Sequence, residues 1–153
     1  MIKISRMTIV TVAMILCLSG MVMTSEAQAQ RFVDNGNGTV TDTQTGLMWT
    51  KDATPFGFEP WNWTWYEAKS RCSSFSISGI GGWRLPSRDE LSAIYHAIQS
   101  GHPFTGVQSY GYWSSTAYAG RWDAAWAVSM RGGQVDVIHK STRSHVWPVR
   151  AGQ

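Results

Sequence analysis

The chain has two cysteines in 153 residues, and only Cys72 lies beyond the apolar run near the N-terminus. A lone cysteine closes no internal disulfide, so the fold is expected to be held by packing, even in an oxidising compartment. Charge is scarce too: Lys, Arg, Asp and Glu supply 15% of the residues and the formal net charge is +3. That balance is too weak to suggest a nucleic-acid partner. His96, His102, His139 and His145 show no His-x-x-x-His spacing and no Cys-x-x-Cys occurs, so no local metal site is expected. No Gly-x-Ser-x-Gly elbow surrounds Ser114 or Ser115. Asp89 and Glu90 are adjacent on a predicted helix, about 100° apart, and so do not face each other as an acid/base pair. No catalytic residue, metal or cofactor is expected. The Asp/Asn-rich stretch DNGNG resembles a calcium loop only superficially, because Gly36 and Gly38 stand where an EF-hand needs oxygen ligands.

Tryptophan, by contrast, is abundant. All nine indoles lie after residue 30, and they offset the shortage of Leu and Ile there by supplying large apolar area per residue. Ahead of them, Lys3 and Arg6 precede an uncharged run from Met7 to Met23 and the small-residue pattern Ala27-Gln28-Ala29. This is the layout of a secretory signal peptide over residues 1–29. Cleavage would leave residues 30–153 as one domain, exported to the periplasm or secreted, with no stable membrane span.

Along that domain the local signals alternate. Arg31–Val33 and Thr39–Thr41 are β-prone runs joined by Asn-Gly pairs suited to positive φ, which predicts a hairpin. A turn at Thr43–Gly46 leads to a strand at Leu47–Trp49. Thr64 and Glu67, then Ser87 and Glu90, have capping-box spacing, which predicts helices over about 65–73 and 87–99. Leu91, Ile94, Tyr95 and Ile98 line one face of the second helix, and Ala68 and Cys72 one face of the first. Strands are expected at Tyr112–Thr116, at Ala125–Met130 with Trp126, Val128 and Met130 on one side, at Gln134–His139, and at His145–Arg150. Pro148 places the last strand at an edge or a bulge. The order is α+β with two helices beside an antiparallel sheet.

The succession DNGNGTVTDTQTGLMW, a helix ending at Cys72, GGWRLPSRDEL, YWSST, AWAVSMRGGQV and HVWPVR resembles the Lcl C-terminal domain family, a bacterial domain of unknown function named from a collagen-like adhesin. The resemblance covers nearly all of residues 30–153. It implies an extracytoplasmic domain of adhesins and secreted proteins, and in the name-giving adhesin similar domains are associated with trimer assembly and sulfated-glycan binding. No Gly-X-Y segment precedes the domain in this chain. At a looser level the order of elements resembles the C-type lectin-like fold. The calcium tripeptides of that fold, Glu-Pro-Asn, Gln-Pro-Asp and Trp-Asn-Asp, are absent, and Glu59-Pro60-Trp61 matches only in part. The Arg84-Leu85-Pro86 stretch also resembles formylglycine-generating enzymes, but their copper-binding cysteine pair has no counterpart beside Cys72.

The candidate binding residues follow from charge and aromaticity. From Tyr118 onward, Arg121, Arg131, Lys140, Arg143 and Arg150 outnumber Asp123 and Asp136. Guanidinium groups bind sulfate and carboxylate through paired hydrogen bonds. Arg121, Arg131, Lys140 and Arg143 are therefore expected to form an anionic-glycan surface, and Trp61, just ahead of the first helix, is the tryptophan expected to be exposed. The function read from the sequence is an exported, non-catalytic binding or adhesion module for an anionic glycan or another envelope protein. The alternatives are a cryptic enzyme of lectin-like fold or a purely structural envelope protein.

Overall fold

Capping residues and turn glycines place the elements locally, and long-range pairing then assembles them. The computed structural model describes residues 31–57 and 63–152. Among these the chain forms β1 (Phe32–Asp34), β2 (Thr39–Asp42), β3 (Leu47–Thr50), α1 (Trp65–Ser74), α2 (Arg88–Ile98), β4 (Gly111–Ala117), β5 (Ala124–Ser129), β6 (Val135–His139) and β7 (Val149–Ala151). This is the α+β order read from the sequence. The strands, however, divide into two antiparallel sheets, β1-β2-β3-β7 and β4-β5-β6, where one was expected.

The β1–β2 hairpin turns through Gly36 and Gly38, both at positive φ (72° and 82°). Asp34 Oδ1 accepts the Gly36 N–H at 3.0 Å, a local turn that needs no tertiary support. Both helices start as their spacing predicts. The Glu67 carboxylate accepts from the Thr64 N–H at 2.8 Å and its hydroxyl at 2.9 Å. At α2, Ser87 Oγ accepts the Glu90 N–H at 3.1 Å, and the Glu90 carboxylate accepts the Ser87 N–H at 2.7 Å. Arg84 then grips both Glu90 oxygens at 2.8 Å. The charged residues of RLPSRDEL thus fix a helix start, and Arg88 and Asp89 pair with each other at 2.8 Å.

The three-stranded sheet lies between two apolar clusters. On one side Tyr112, Val128 and Met130 join Val40, Trp49, Leu91, Ile94 and Trp147. On the other, Trp113, Ala125 and Ala127 join Trp65, Ala68, Cys72 and Leu85. Strand alternation explains the division, since neighbours Tyr112 and Trp113 point to opposite faces. The one-sided β5 predicted from Trp126, Val128 and Met130 is instead covered on both faces, because alanines on its other side admit the bulky Trp113 and Trp65. The C-terminal strand is also shorter than expected. His145 pairs instead with β4, its carbonyl accepting the Trp113 N–H at 2.9 Å, while the Pro148 carbonyl still accepts the Thr50 N–H at 3.3 Å and only Val149–Ala151 pair fully with β3. Lacking an N–H, Pro148 ends the ladder on its N-terminal side.

Two predictions follow from this packing. Burial and the Arg84 partnership act oppositely on Glu90, and the Arg84 hydrogen bonds prevail, holding its carboxyl below the ordinary 4.5. A group so depressed stabilises the fold above its unfolded pKa and loses that contribution as pH falls. Glu90→Ala should cost about 1 to 2 kcal/mol at pH 7, the sum of a cap and a half-exposed ion pair. Urea unfolding should show the gap between wild type and variant closing as pH drops below about 4. His145 is buried against Tyr110 and Tyr112, at 5.9 and 5.2 Å between ring centroids, and its Nε2 has no hydrogen-bond partner among the described residues. Burial pushes its pKa below the ordinary 6.5. A histidine buried neutral contributes fully above that value and destabilises the fold as pH falls beneath it. Replacing it in His145→Gln should flatten the pH dependence of unfolding between about pH 6.5 and 5, whereas an unchanged slope would show that His145 does not titrate on unfolding.

Candidate functional site

Arg131 follows β5 at the turn into β6, and Arg143 lies in the loop after β6. The structure brings both to one groove of about 390 Å³ on the outer part of the three-stranded sheet. Its floor is made of small groups. Gly111 of β4 and Ala127 and Ser129 of β5 leave space that larger side chains would fill. A Cβ at Gly111 would come within 3.3 Å of Ser144 Oγ. Ser144 donates its hydroxyl to the Gly111 carbonyl and its N–H to the Trp63 carbonyl, which seats the Arg143 loop over the sheet. Asp136 and Ile138 of β6 complete the floor, and half-exposed Tyr110 stands at the rim. The groove therefore holds two guanidinium groups against one carboxylate, with an aromatic edge and several hydroxyls. The Thr64 hydrogen bonds, with a smaller contribution from the Arg143 charge, hold the Glu67 carboxyl at the start of α1 below its ordinary range.

Arg121 and Lys140 lie elsewhere. Both belong to the opposite end of the β5–β6 hairpin, where the Lys140 N–H donates to the Asp123 carbonyl at 2.7 Å. Arg121 pairs with Asp123 at 3.1 Å. Lys140 is only 9% exposed, its ammonium donating to the Trp122 carbonyl and lying 4.6 Å from the Trp65 ring centroid. Its charge is spent inside the fold, bound to a carbonyl and an indole face, and so it does not extend the Arg131–Arg143 groove. Of the tryptophans near α1, Trp65 is buried and Trp63 is half-buried with the Arg71 guanidinium 3.3 Å from its ring centroid. Trp61 lies outside the described residues.

The exposed aromatics are others. Trp122 is 85% exposed and Tyr66 60%. Composition hid Trp122, since eight other tryptophans compete for the same reading. A signal existed: it sits in Gly120-Arg121-Trp122-Asp123, a turn-like stretch with no strand to bury it.

The nucleophilic and metal chemistries find no assembled centre among the described residues. Ser114 donates its hydroxyl to the Trp126 carbonyl of the neighbouring strand at 2.7 Å. Burial pushes the Cys72 thiol up to about 12, which keeps it protonated and inert. His139 meets a carboxylate, Asp123, at 3.0 Å, and no group of three His, Cys, Asp or Glu side chains converges among the described residues. No described helix is long and apolar enough to cross a membrane.

No curated protein matches the sequence. The model of the Lcl C-terminal domain matches residues 38–150, a span that runs from the β1–β2 hairpin through both helices and the three-stranded sheet into β7. With every strand but β1 wholly or mostly inside that match, together with both helices and the Arg131–Arg143 groove, the chain belongs to the Lcl C-terminal domain family.

Proposed function

We propose that this chain is an exported, non-catalytic binding module that holds an anionic glycan in the groove between Arg131 and Arg143, on a scaffold of C-type lectin-like kind. Residues 1–29 are its secretory signal. The observation that carries the reading is the convergence of two arginines, twelve positions apart in the chain, on the walls of one groove floored by small residues. A planar uronate carboxylate, or two oxygens of a tetrahedral sulfate group, can take paired hydrogen bonds from a guanidinium, and a ring edge of the sugar can lie along Tyr110. Asp136 sets polarity within the groove, since an anionic group is repelled from its side and drawn to the arginines. Calcium has no part in this scheme, because the attraction comes from fixed cations.

Binding of this type is largely electrostatic and weakens steeply with salt, the Debye length falling from about 8 Å at physiological ionic strength to about 3 Å at 1 M. Calorimetry with a heparin-derived oligosaccharide should show affinity that drops with added sodium chloride and does not respond to EDTA. Arg131→Glu with Arg143→Glu should weaken it by about 100-fold, roughly tenfold for each reversed charge. Arg121→Glu, at the far end of the hairpin, should leave it within about twofold. Full binding by the double variant would put the glycan elsewhere. A chain that binds no sulfated or uronic-acid oligosaccharide would leave the structural envelope role standing.

A further inference from the structure

A second concavity lies at the opposite end of the β5–β6 hairpin from Arg131. It measures about 230 Å³, and Tyr66, Trp122, Asp123, His139, Ser141 and the inward-turned Lys140 are among the residues that line it. Trp122 is the most exposed large apolar residue described, yet its backbone is held firmly. Tyr118 donates to the Ala124 carbonyl at 3.0 Å, Arg121 to Tyr118 at 3.3 Å, and Ala124 to Arg121 at 3.2 Å. The buried Lys140 ammonium takes the Trp122 carbonyl itself. Tyr66 is braced edge-on by Trp65 at 5.2 Å. Two aromatic rings offered to solvent from rigid backbone constitute a platform whose ordering cost is met on folding, before any ligand arrives.

The polar wall suits hydroxyl groups. Arg121 holds the Asp123 carboxyl below the usual carboxylate range, so it is an ionised acceptor. Its oxygens meet Arg121 at 3.1 Å and His139 Nε2 at 3.0 Å, and each keeps a lone pair for a further donor. The concavity is smaller than the roughly 300 Å³ at which drug-sized pockets begin, which fits one ring and not an extended ligand. A second copy of the chain is a poorer occupant. Two aromatic side chains supply at most about 500 Å², short of the roughly 800 Å² per partner of a stable interface.

We propose that Trp122 and Tyr66 form a stacking site for a single neutral pyranose ring, whose hydroxyls bond to Asp123 and Ser141. The apolar C–H face of the ring meets the indole, and the site works independently of the Arg131–Arg143 groove. Because the ligand is uncharged, binding is insensitive to salt, and one stacked ring with a few solvent-competed hydrogen bonds gives a dissociation constant in the millimolar range.

The test is a titration of the 15N-labelled protein with methyl β-D-glucopyranoside, methyl β-D-galactopyranoside and methyl N-acetyl-β-D-glucosaminide, observed by amide and indole correlation spectra. At least one glycoside should shift the Trp122 indole N–H and the Tyr66 and Ser141 amides, equally at low and high sodium chloride. Trp122→Ala should abolish the shifts at unchanged circular dichroism, and Tyr66→Ala should weaken them about tenfold or more. Arg131→Glu with Arg143→Glu should leave them intact. Absence of saturable shifts with all three glycosides, or shifts that survive Trp122→Ala, would overturn the proposal. So would an equilibrium-sedimentation dimer that Trp122→Ala dissociates, since that would make Trp122 a subunit contact.

Discussion

Indole N–H groups take on the long-range fastening that disulfides give to many small domains. Trp65 donates to the Ser114 carbonyl at 2.7 Å, Trp113 to the Trp63 carbonyl at 2.9 Å, and Trp147 to the Thr50 carbonyl at 3.0 Å. Each bond spans at least 49 residues of sequence. A buried indole whose donor meets a carbonyl brings a large apolar body fixed in both distance and direction, whereas Trp49, equally buried, is held by packing with its Nε1 unpartnered among the described residues. Trp65 and Trp113 tie α1 and the chain just before it to β4. Trp147 ties the C-terminal segment to the end of β3 while its ring packs edge-on against Trp49 and Phe104, at 5.3 and 5.0 Å. Everything else, including the placement of both sheets around their clusters, depends on these three side chains being inside.

The surface features follow from that framework. With Trp113 and Trp65 filling one side of the three-stranded sheet, the facing positions of β5 are alanines, and the outer end of the same face becomes a shallow floor of Gly111, Ala127 and Ser129. The residues that make room for a tryptophan inside the fold thereby leave a groove outside it. Lys140 joins the two regimes. Its aliphatic stem and ammonium are taken up by Trp65 and the Trp122 carbonyl, which holds the loop before β5 against the end of β6. Burying a cation is costly without partners, and here an indole face and a carbonyl dipole offset the loss of water.

Much of this was legible where the information is local. The two capped helices, the Asn-Gly hairpin and the β5–β6 turn depend on residues within a few positions of each other, and Ser87, Glu90, Gly36 and Gly133 announce them. The division into two sheets was not legible, because β3 finds its second partner in β7, about a hundred residues downstream, and no periodicity encodes that pairing. The charge excess after Tyr118 is plain in the sequence, but where each cation stands in the fold is not. Arg131 and Arg143 meet because Ser144 draws the loop over Gly111, whereas Lys140, three residues before Arg143, turns inward to an indole that composition alone treats as generic core. Trp122 was missed for the converse reason, as tryptophan reads as core unless the surrounding turn is given greater weight.

Phe32 stands opposite Asp42, Asp42 opposite Leu47, and Leu47 opposite Ala151, so the first and last strands of the domain align on a single row. Three interstrand spacings separate them, about 14 Å. Because each pairing is antiparallel, β1 begins and β7 ends at the same end of the sheet, on its two opposite edges. A tension applied between those two ends meets the ladders from their open side and parts the edge strands one hydrogen bond after another, while the Trp147 fastening behind β3 is loaded last. Under load the domain is a peeling joint backed by a rivet.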